Sequence, residues 1–298
     1  MVTLEEGVPG PTGYPAELVT SLPFVIVGMT RGAVDRTWFE LCDVVVEDGD
    51  PALVAVEHNL ATFPIASAAL ALLLRSQPGR AVDEGLVAES AVYSVLQSGP
   101  EFAAWRAAHP ARTDVDEGPR VRLQRDGQTL TVTLARPDRL NALDARMRDE
   151  LIEGFAVAAA DPGIMAVELR GEGRAFCAGG DLDEFGSRTD PASAHLIRLQ
   201  RSVARALSHL PVLTVAHVHG ACVGSGIELA AFADRVVAAL DTEIALPEIG
   251  LGLVPGAGGT VSLTRRIGRL RAAWLAFSGR TIDAATAFSW GLVDQLEE

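Results

Sequence analysis

Two carboxylates stand beside glycine-rich turns in the second half of the chain. Glu228 lies in the segment His219-Gly-Ala-Cys-Val-Gly-Ser-Gly-Ile-Glu-Leu229, and Glu248 lies in Leu246-Pro-Glu-Ile-Gly250. A carboxylate beside a reacting carbon can take a proton, give one, or hold a water molecule. Two of them at one site therefore favour acid–base chemistry in which a water molecule is positioned and protons are moved.

Two glycine-rich turns are placed where they can bind a negative oxygen. One is the turn before Glu228, and the other is Ala175-Phe-Cys-Ala-Gly-Gly-Asp-Leu-Asp-Glu184. Each follows a predicted strand, and the turn before Glu228 opens a predicted helix. Small residues let a ligand approach the backbone, and the first N–H groups of a helix lack an internal acceptor. Two N–H groups aimed at one oxygen would stabilise an enolate.

Two other motifs that these turns resemble lack required residues. Gly224-Ser-Gly226 after a strand resembles a dinucleotide-binding turn, but Leu229 occupies the third glycine position. A nucleophile elbow around Ser225 fails because Val223 and Ile227 stand at its glycine positions. The three cysteines have no metal-site spacing. The sequence therefore predicts no metal site.

The elements around these turns alternate between strands and helices. Asp126-Gly127 predicts a hairpin, and Asp144 can cap a helix that runs to Ala160. Strands are predicted at 121–125, 130–134, 166–170, 211–218, 235–239 and 244–246, and helices at 144–160, at 192–208 and from about Ser225. Repeated strand–strand–helix units of this kind predict an α/β layer fold.

A smaller α/β module precedes this region. Residues 1–110 contain predicted strands at 23–27 and 44–46 and predicted helices at 53–75, 82–97 and 101–108, with a break near Pro64. No catalytic motif is present in it. The segment His109–Pro119 has two prolines, a glycine and three acidic residues. Within it, residues 111–119 are predicted to be a linker to the second domain at 120–298.

Composition excludes several classes of protein. The 25 basic and 39 acidic residues give a formal net charge of −14, which argues against a nucleic-acid partner. The N-terminus is not a signal peptide, and the longest apolar stretch, from Ala61 to Leu74, contains Pro64 and is too short to span a bilayer. A reduced, cytoplasmic location without membrane contact is the expectation.

Five ordered motifs between about 120 and 298 resemble the crotonase (enoyl-CoA hydratase/isomerase) superfamily. They are Arg136-Pro-Asp-Arg-Leu-Asn-Ala-Leu143, Phe176-Cys-Ala-Gly-Gly-Asp-Leu182, the turn before Glu228, Pro247-Glu-Ile-Gly-Leu-Gly-Leu-Val-Pro-Gly-Ala-Gly-Gly-Thr260, and Ser278-Gly-Arg-Thr-Ile-Asp-Ala-Ala-Thr-Ala-Phe-Ser-Trp-Gly-Leu-Val-Asp294. The resemblance implies a crotonase-like spiral of repeated ββα units, preceded here by the small α/β module.

The resemblance also implies roles for particular residues. The two oxyanion-hole N–H groups fall on Gly180 and Ser225, and the two catalytic glutamates fall on Glu228 and Glu248. Ser225 stands where hydratases usually have glycine, so a hydroxymethyl group borders the thioester. Residues expected to bind coenzyme A or substrate are Arg139, Leu140, Ala142, Ala178, Asp181 and Leu182.

The implied reaction is the reversible hydration of a 2-enoyl-CoA. Coenzyme A enters as part of the acyl-CoA substrate, and no metal or redox cofactor is expected. Isomerisation, dehydration or thioester hydrolysis by the same fold, and a non-catalytic partner subunit, remain open alternatives. The resemblance implies a homo-oligomer, either a trimer or a hexamer. Because the family typically continues with closing helices after the Asp294 motif, we expect the N-terminal module to pack in their place.

Overall fold

Three β-sheets form the framework of this computed structural model, which describes residues 1–6, 8, 10, 19–112 and 118–297. In several strands buried residues alternate with less buried ones. In β5, for example, Leu130, Val132 and Leu134 face the core. The strands of the described chain are β1 (Val2–Glu5), β2 (Val27–Arg31), β3 (Val44–Glu47), β4 (Val121–Asp126), β5 (Thr129–Leu134), β6 (Ala166–Gly171), β7 (Ala175–Cys177), β8 (Leu213–Val218), β9 (Ala221–Val223), β10 (Arg235–Ala239), β11 (Glu243–Ala245), β12 (Ile282–Asp283) and β13 (Gln295–Glu297).

Successive strands alternate between two of these sheets. The larger sheet has the order β13-β10-β8-β6-β5-β4, and the smaller has the order β12-β11-β9-β7. The chain therefore passes from β6 to β7, from β8 to β9 and from β10 to β11, each time leaving the larger sheet for the smaller one. With the helices that follow, this is the expected spiral of strand–strand–helix units, and the α/β prediction is confirmed.

The helices close the layers around the sheets. In the described part of the chain they include α1 (Pro51–Thr62), α2 (Pro64–Ser76), α3 (Val82–Gln97), α4 (Pro100–Ala108), α5 (Ala145–Ala160), α6 (Pro191–Gln200), α7 (Val203–Ser208), α8 (Ser225–Ala230), α9 (Gly259–Ile267), α10 (Arg269–Ser278) and α11 (Ala284–Trp290), with 3₁₀ turns at Arg36–Glu40, Pro137–Arg139 and Glu248–Leu251. Asp144 caps α5 as predicted, since its Oδ1 accepts from the Met147 N–H at 2.7 Å.

Two predicted elements differ from the structure. The single helix expected at 192–208 is two helices, because the Ser202 side chain accepts from the Arg205 N–H and starts α7 anew. The strand predicted from Pro23 begins only at Val27, and β1 was not predicted at all. The proline break is confirmed, because α1 and α2 meet at an angle of 111°.

The N-terminal elements pack directly on the second half of the chain. The Asn59 side chain donates to the Phe277 carbonyl at 2.8 Å, and Gln77 donates to the Thr260 hydroxyl at 3.0 Å. Arg75 and Asp43 form a buried ion pair at 2.6 Å. One apolar core continues through both parts. The predicted division at 111–119 stays a prediction, and its residues 113–117 lie outside the described chain.

Within the described residues, no single helix is both long and apolar enough to cross a membrane. The bent pair α1 and α2 passes that test only when its two helices are joined, and by length and composition alone.

Candidate active site

The predicted site residues follow three neighbouring parallel strands of the smaller sheet. β7 pairs with β9, and β9 pairs with β11, all in parallel. Gly180 follows β7, Ser225 and Glu228 follow β9, and Glu248 follows β11. Because the carboxyl ends of parallel strands meet at one sheet edge, residues from distant parts of the sequence are brought to one place.

Among the described residues, no backbone hydrogen bond uses the N–H group of either expected oxyanion donor. Around Gly180, the Leu143 N–H donates to the Gly179 carbonyl and the Asp181 N–H donates to the Leu143 carbonyl. Neither bond uses the Gly180 N–H. Ser225 begins α8, and the first N–H groups of a helix have no acceptor within it. Both residues line the same cavity.

Glu228 is buried and held by two backbone donors. Its side chain is 2% exposed, and its Oε2 accepts from the Ala257 N–H at 2.7 Å and from the Gly259 N–H at 2.8 Å. Burial raises the pKa of Glu228 to about 7, and the backbone hydrogen bonds lower it only in part. The carboxyl group therefore changes protonation near neutral pH.

Glu248 differs from Glu228 in its surroundings. It begins the 3₁₀ turn after β11, and within the described part of the chain its buried Oε2 has no hydrogen-bond partner. Burial, and next the charge of Glu228, raise the pKa of Glu248 well above its ordinary value. Glu248 therefore keeps its proton more firmly than an exposed glutamate does.

Gly224 is required for Glu248 to lie where it does. Its φ angle is +50°, a region that favours glycine. A Cβ atom added there would lie 2.6 Å from Glu248 Oε1. The glycine before Ser225 thus admits the second carboxyl group to the sheet edge.

The residues expected to bind coenzyme A lie on two adjoining segments. The Ala178 N–H donates to the Leu140 carbonyl at 2.9 Å, which joins the segment before α5 to the turn after β7. Asp181 and Gly180 line the cavity. Among the described residues that line it, Arg139, Leu140, Ala142, Ala178 and Leu182 are not found. Leu182 is exposed, and Arg139 faces Asp183 at 3.8 Å.

Asp181 also has a structural role that the sequence motif did not indicate. Its Oδ2 lies 2.6 Å from Arg136 Nη1, and both groups are buried. Arg136 in turn faces Asp144 at 3.4 Å, and Asp144 pairs with Arg120 at 2.7 Å. This buried network fixes the start of α5 against the turn after β7, so Asp181 supports the turn that carries Gly180.

The cavity that contains these groups has a volume of about 440 Å³. Ser225, Glu228 and Glu248 lie on its wall. Tyr93 and Gln97 of α3 line it too, although the sequence indicated no functional residue in the N-terminal segment. A buried third glutamate, Glu89, comes from the same helix. Its signal in the sequence was an acid at helical spacing between the apolar residues Leu86 and Tyr93.

The helix after β7 also lines this cavity. Arg198 of α6 stacks over the Tyr93 ring, with its guanidinium carbon 4.4 Å from the ring centroid. Its Nη1 donates to the Ser94 hydroxyl at 2.8 Å. Helix α3 is thereby tied to α6, and one side of the cavity is made jointly by the two halves of the chain.

Comparison with known proteins assigns the chain to a family. A model described as enoyl-CoA hydratase/isomerase matches residues 124–297. The chain belongs to the enoyl-CoA hydratase/isomerase family. Enoyl-CoA hydratase from Thermoplasma volcanium GSS1 has a solved structure that aligns with a TM-score of 0.57 and 34% identity, covering 60% of this chain and 72% of that one. The fold is therefore the crotonase fold.

Relatives in the enoyl-CoA hydratase/isomerase family have different reactions. Mevalonyl-coenzyme A hydratase of Beauveria bassiana (strain ARSEF 2860) is 37% identical over 175 residues, which is 56% of this chain and 62% of the relative. The 1,2-epoxyphenylacetyl-CoA isomerase of Escherichia coli (strain K12) is 36% identical over 171 residues, which is 56% and 65%. The chain thus spans somewhat less than two thirds of these relatives.

Proposed function

We propose that the protein catalyses the reversible hydration of a 2-enoyl-CoA. The observation that carries this proposal is the pair of buried carboxyl groups, Glu228 and Glu248, on the wall of the cavity that Gly180 and Ser225 also line. Hydration needs one group to take a proton from water and one to deliver a proton to carbon.

The backbone donors act on the thioester. In the proposed geometry its oxygen lies between the N–H groups of Gly180 and Ser225. Attack on C3 moves electron density onto that oxygen, and donors already oriented for it stabilise the enolate without reorganising. Ser225 lines the cavity, and its buried side chain lies beside the Cys177 thiol.

The two glutamates divide the proton transfers. Glu228, with its carboxylate stabilised by two N–H donors, takes the proton of the water whose oxygen bonds to C3. Glu248 gives its proton to C2 as the enolate collapses. Because the charge of Glu228 raises the pKa of Glu248, ionised Glu228 and protonated Glu248 occur together, which is the state that hydration requires.

The acyl-CoA provides the activation in this scheme, so the proposal includes no metal or redox cofactor. The segments of Arg139 to Ala142 and of Ala178 to Leu182 would receive the coenzyme A part of the substrate. A homo-oligomer, a trimer or a hexamer, belongs to the proposal as well, and light scattering on the purified protein measures it.

Isomerisation is the second candidate, because one relative is a 1,2-epoxyphenylacetyl-CoA isomerase. Shuttling one proton between two carbons needs only one of the two carboxyl groups. A protein that only uses the fold for assembly would need neither.

Solvent labelling separates these functions. A set of 2-enoyl-CoA and 3-enoyl-CoA thioesters, beginning with crotonyl-CoA, is incubated with the protein in ²H₂¹⁸O, and products are examined by mass spectrometry. Hydration predicts ¹⁸O at C3 and one ²H at C2. Isomerised product without ¹⁸O would support the second candidate, and unchanged substrates throughout would contradict both.

A further inference from the structure

Four successive N–H groups at the start of α9 are shared alternately by two glutamates. Ala257 and Gly259 donate to Glu228 Oε2 at 2.7 and 2.8 Å. The N–H group of Gly258, which lies between these two residues, donates to Glu89 Oε1 at 2.7 Å. The N–H group of Thr260, which follows them, donates to Glu89 Oε2 at 2.9 Å. One short loop therefore holds Glu228 from the catalytic half and Glu89 from the N-terminal segment.

We propose that Glu89 is a positioning residue for Glu228. It fixes the loop 257–260 so that the N–H groups of Ala257 and Gly259 point at the Glu228 carboxylate. This inference rests on the proposed function, in which Glu228 is the group that takes the proton from water. Glu89 itself acts through the loop.

Further contacts make Glu89 a firm anchor. The Thr260 hydroxyl donates to Glu89 Oε2 at 2.6 Å and accepts from the Gln77 side chain at 3.0 Å. Glu89 is 2% exposed, so these bonds are made away from water. Without Glu89, two N–H groups and a hydroxyl would lose a buried acceptor, and the loop would have reason to move. A displaced loop would carry the donors of Glu228 with it.

The second effect of Glu89 is on the pKa of Glu228. Burial, and next the charge of Glu228, raise the pKa of Glu89 to about 8. Because the pKa of Glu89 lies above that of Glu228, Glu89 is still largely protonated while Glu228 ionises, and the N–H groups of the loop are what lower the pKa of Glu228 against burial. If the loop moves when Glu89 is removed, Glu228 loses those donors, and its pKa is expected to rise.

Several other charged groups face Glu89 and set the background for this coupling. They are Glu248 at the sheet edge, Arg148 of α5, Arg198 of α6 and Arg201 after α6. The His195 ring of α6 is bound to Ser90, the residue after Glu89, at 2.9 Å. The test variants leave all of them in place.

The first test is Glu89→Gln in the full chain. An amide keeps the size of the side chain but turns an NH₂ group toward backbone donors. We expect kcat to fall roughly 10- to 100-fold with KM within about threefold. We also expect the acid limb of the pH profile to move to higher pH, because Glu228 would lose the N–H donors that lower its pKa. The control is Glu84→Gln on the exposed face of the same helix, which should change neither.

The outcomes are distinct. A folded Glu89→Gln protein with wild-type kcat and an unmoved acid limb overturns the proposal. A lower kcat with an unmoved acid limb also overturns it, because a merely structural contact would give that result. If Glu89→Gln does not fold, Thr260 decides: Thr260→Val should lower kcat and Thr260→Ser should restore it, and equal activity of the two variants contradicts the inference.

A measurement without turnover separates this inference from the proposed function. In protein labelled with ¹³C at the glutamate carboxyl carbon, the Glu228 resonance is assigned by its loss in Glu228→Gln. Its titration midpoint should lie higher in Glu89→Gln than in wild type, because the N–H donors that stabilise the carboxylate would be displaced. If wild-type protein hydrates no thioester yet the midpoint moves, the proposed function fails and the coupling stands. An unmoved midpoint refutes the coupling whatever the activity.

Discussion

At the scale of residues, Glu228 and Glu248 have the same side chain but different properties, because their hydrogen-bond partners differ. Glu228 receives two backbone N–H groups, which favour its ionised form against the cost of burial. Glu248 Oε2 has no such partner within the described residues. A base and an acid are thereby available from one pair of carboxyl groups.

The pH dependence of the rate follows from this difference. For the true 2-enoyl-CoA substrate, kcat/KM should rise as pH increases through about 7, because Glu228 must be ionised in the free enzyme and its pKa is raised to about 7. The rate should fall again at higher pH, because the raised pKa of Glu248 marks where its proton is lost. Initial rates across the pH range give both limbs, and a profile that is flat around neutral pH would contradict the assignment.

Ser225 provides a test of the backbone donor. Ser225→Gly should keep activity, since the N–H group remains, and should accept bulkier acyl groups. Ser225→Pro should abolish activity, because proline has no N–H. Steady-state rates with a series of acyl chain lengths measure both variants. An active proline variant that retains the native circular dichroism spectrum would place the oxyanion hole elsewhere.

At the scale of elements, the start of α9 controls the position of Glu228. A Cβ atom at Gly259 would lie 2.6 Å from Glu228 Cγ. Gly259→Ala should therefore push the carboxylate away from its donors and lower kcat about tenfold or more. Gly250→Ala is the matched control, because a Cβ there meets nothing within 4 Å. Equal kcat values for the two variants would mean that α9 does not set the site.

The sequence predicted those elements that its local pattern determines. Asp126-Gly127 indicated the hairpin, Asp144 indicated the cap of α5, and Pro64 indicated the break between α1 and α2. The break inside 192–208 was missed, because Ser202 is an acceptable helix residue until its side chain competes for a backbone N–H. Strand β1 was missed because its pairing with β2 is a contact distant in sequence.

The same limit applies to the site. Gly180, Ser225, Glu228 and Glu248 were predicted because ordered motifs mark them, and the structure brings them to one sheet edge. Glu89 lies 169 residues before Gly258, whose loop donates hydrogen bonds to it. No local pattern encodes such a contact. An acid on an apolar helix face shows that a buried partner is needed, without showing which one.

At the scale of the whole molecule, the N-terminal segment and the second half of the chain share one core and one cavity. Deleting residues 1–110 should cause aggregation or loss of activity and assembly, because the apolar faces of α9 and α10 would lose their cover. Solubility, light scattering and turnover of the 111–298 fragment measure this. A soluble, fully active fragment with unchanged assembly would show that the segment is a separate, tethered unit.

The most direct test of the two-carboxylate mechanism is turnover of Glu228→Gln and of Glu248→Gln on the true acyl-CoA substrate, measured beside substrate affinity. Each change removes a proton carrier and keeps the shape of the side chain. The mechanism predicts that each variant loses roughly 10²- to 10⁴-fold in kcat while acyl-CoA binding stays largely intact. Wild-type turnover in both variants would contradict it.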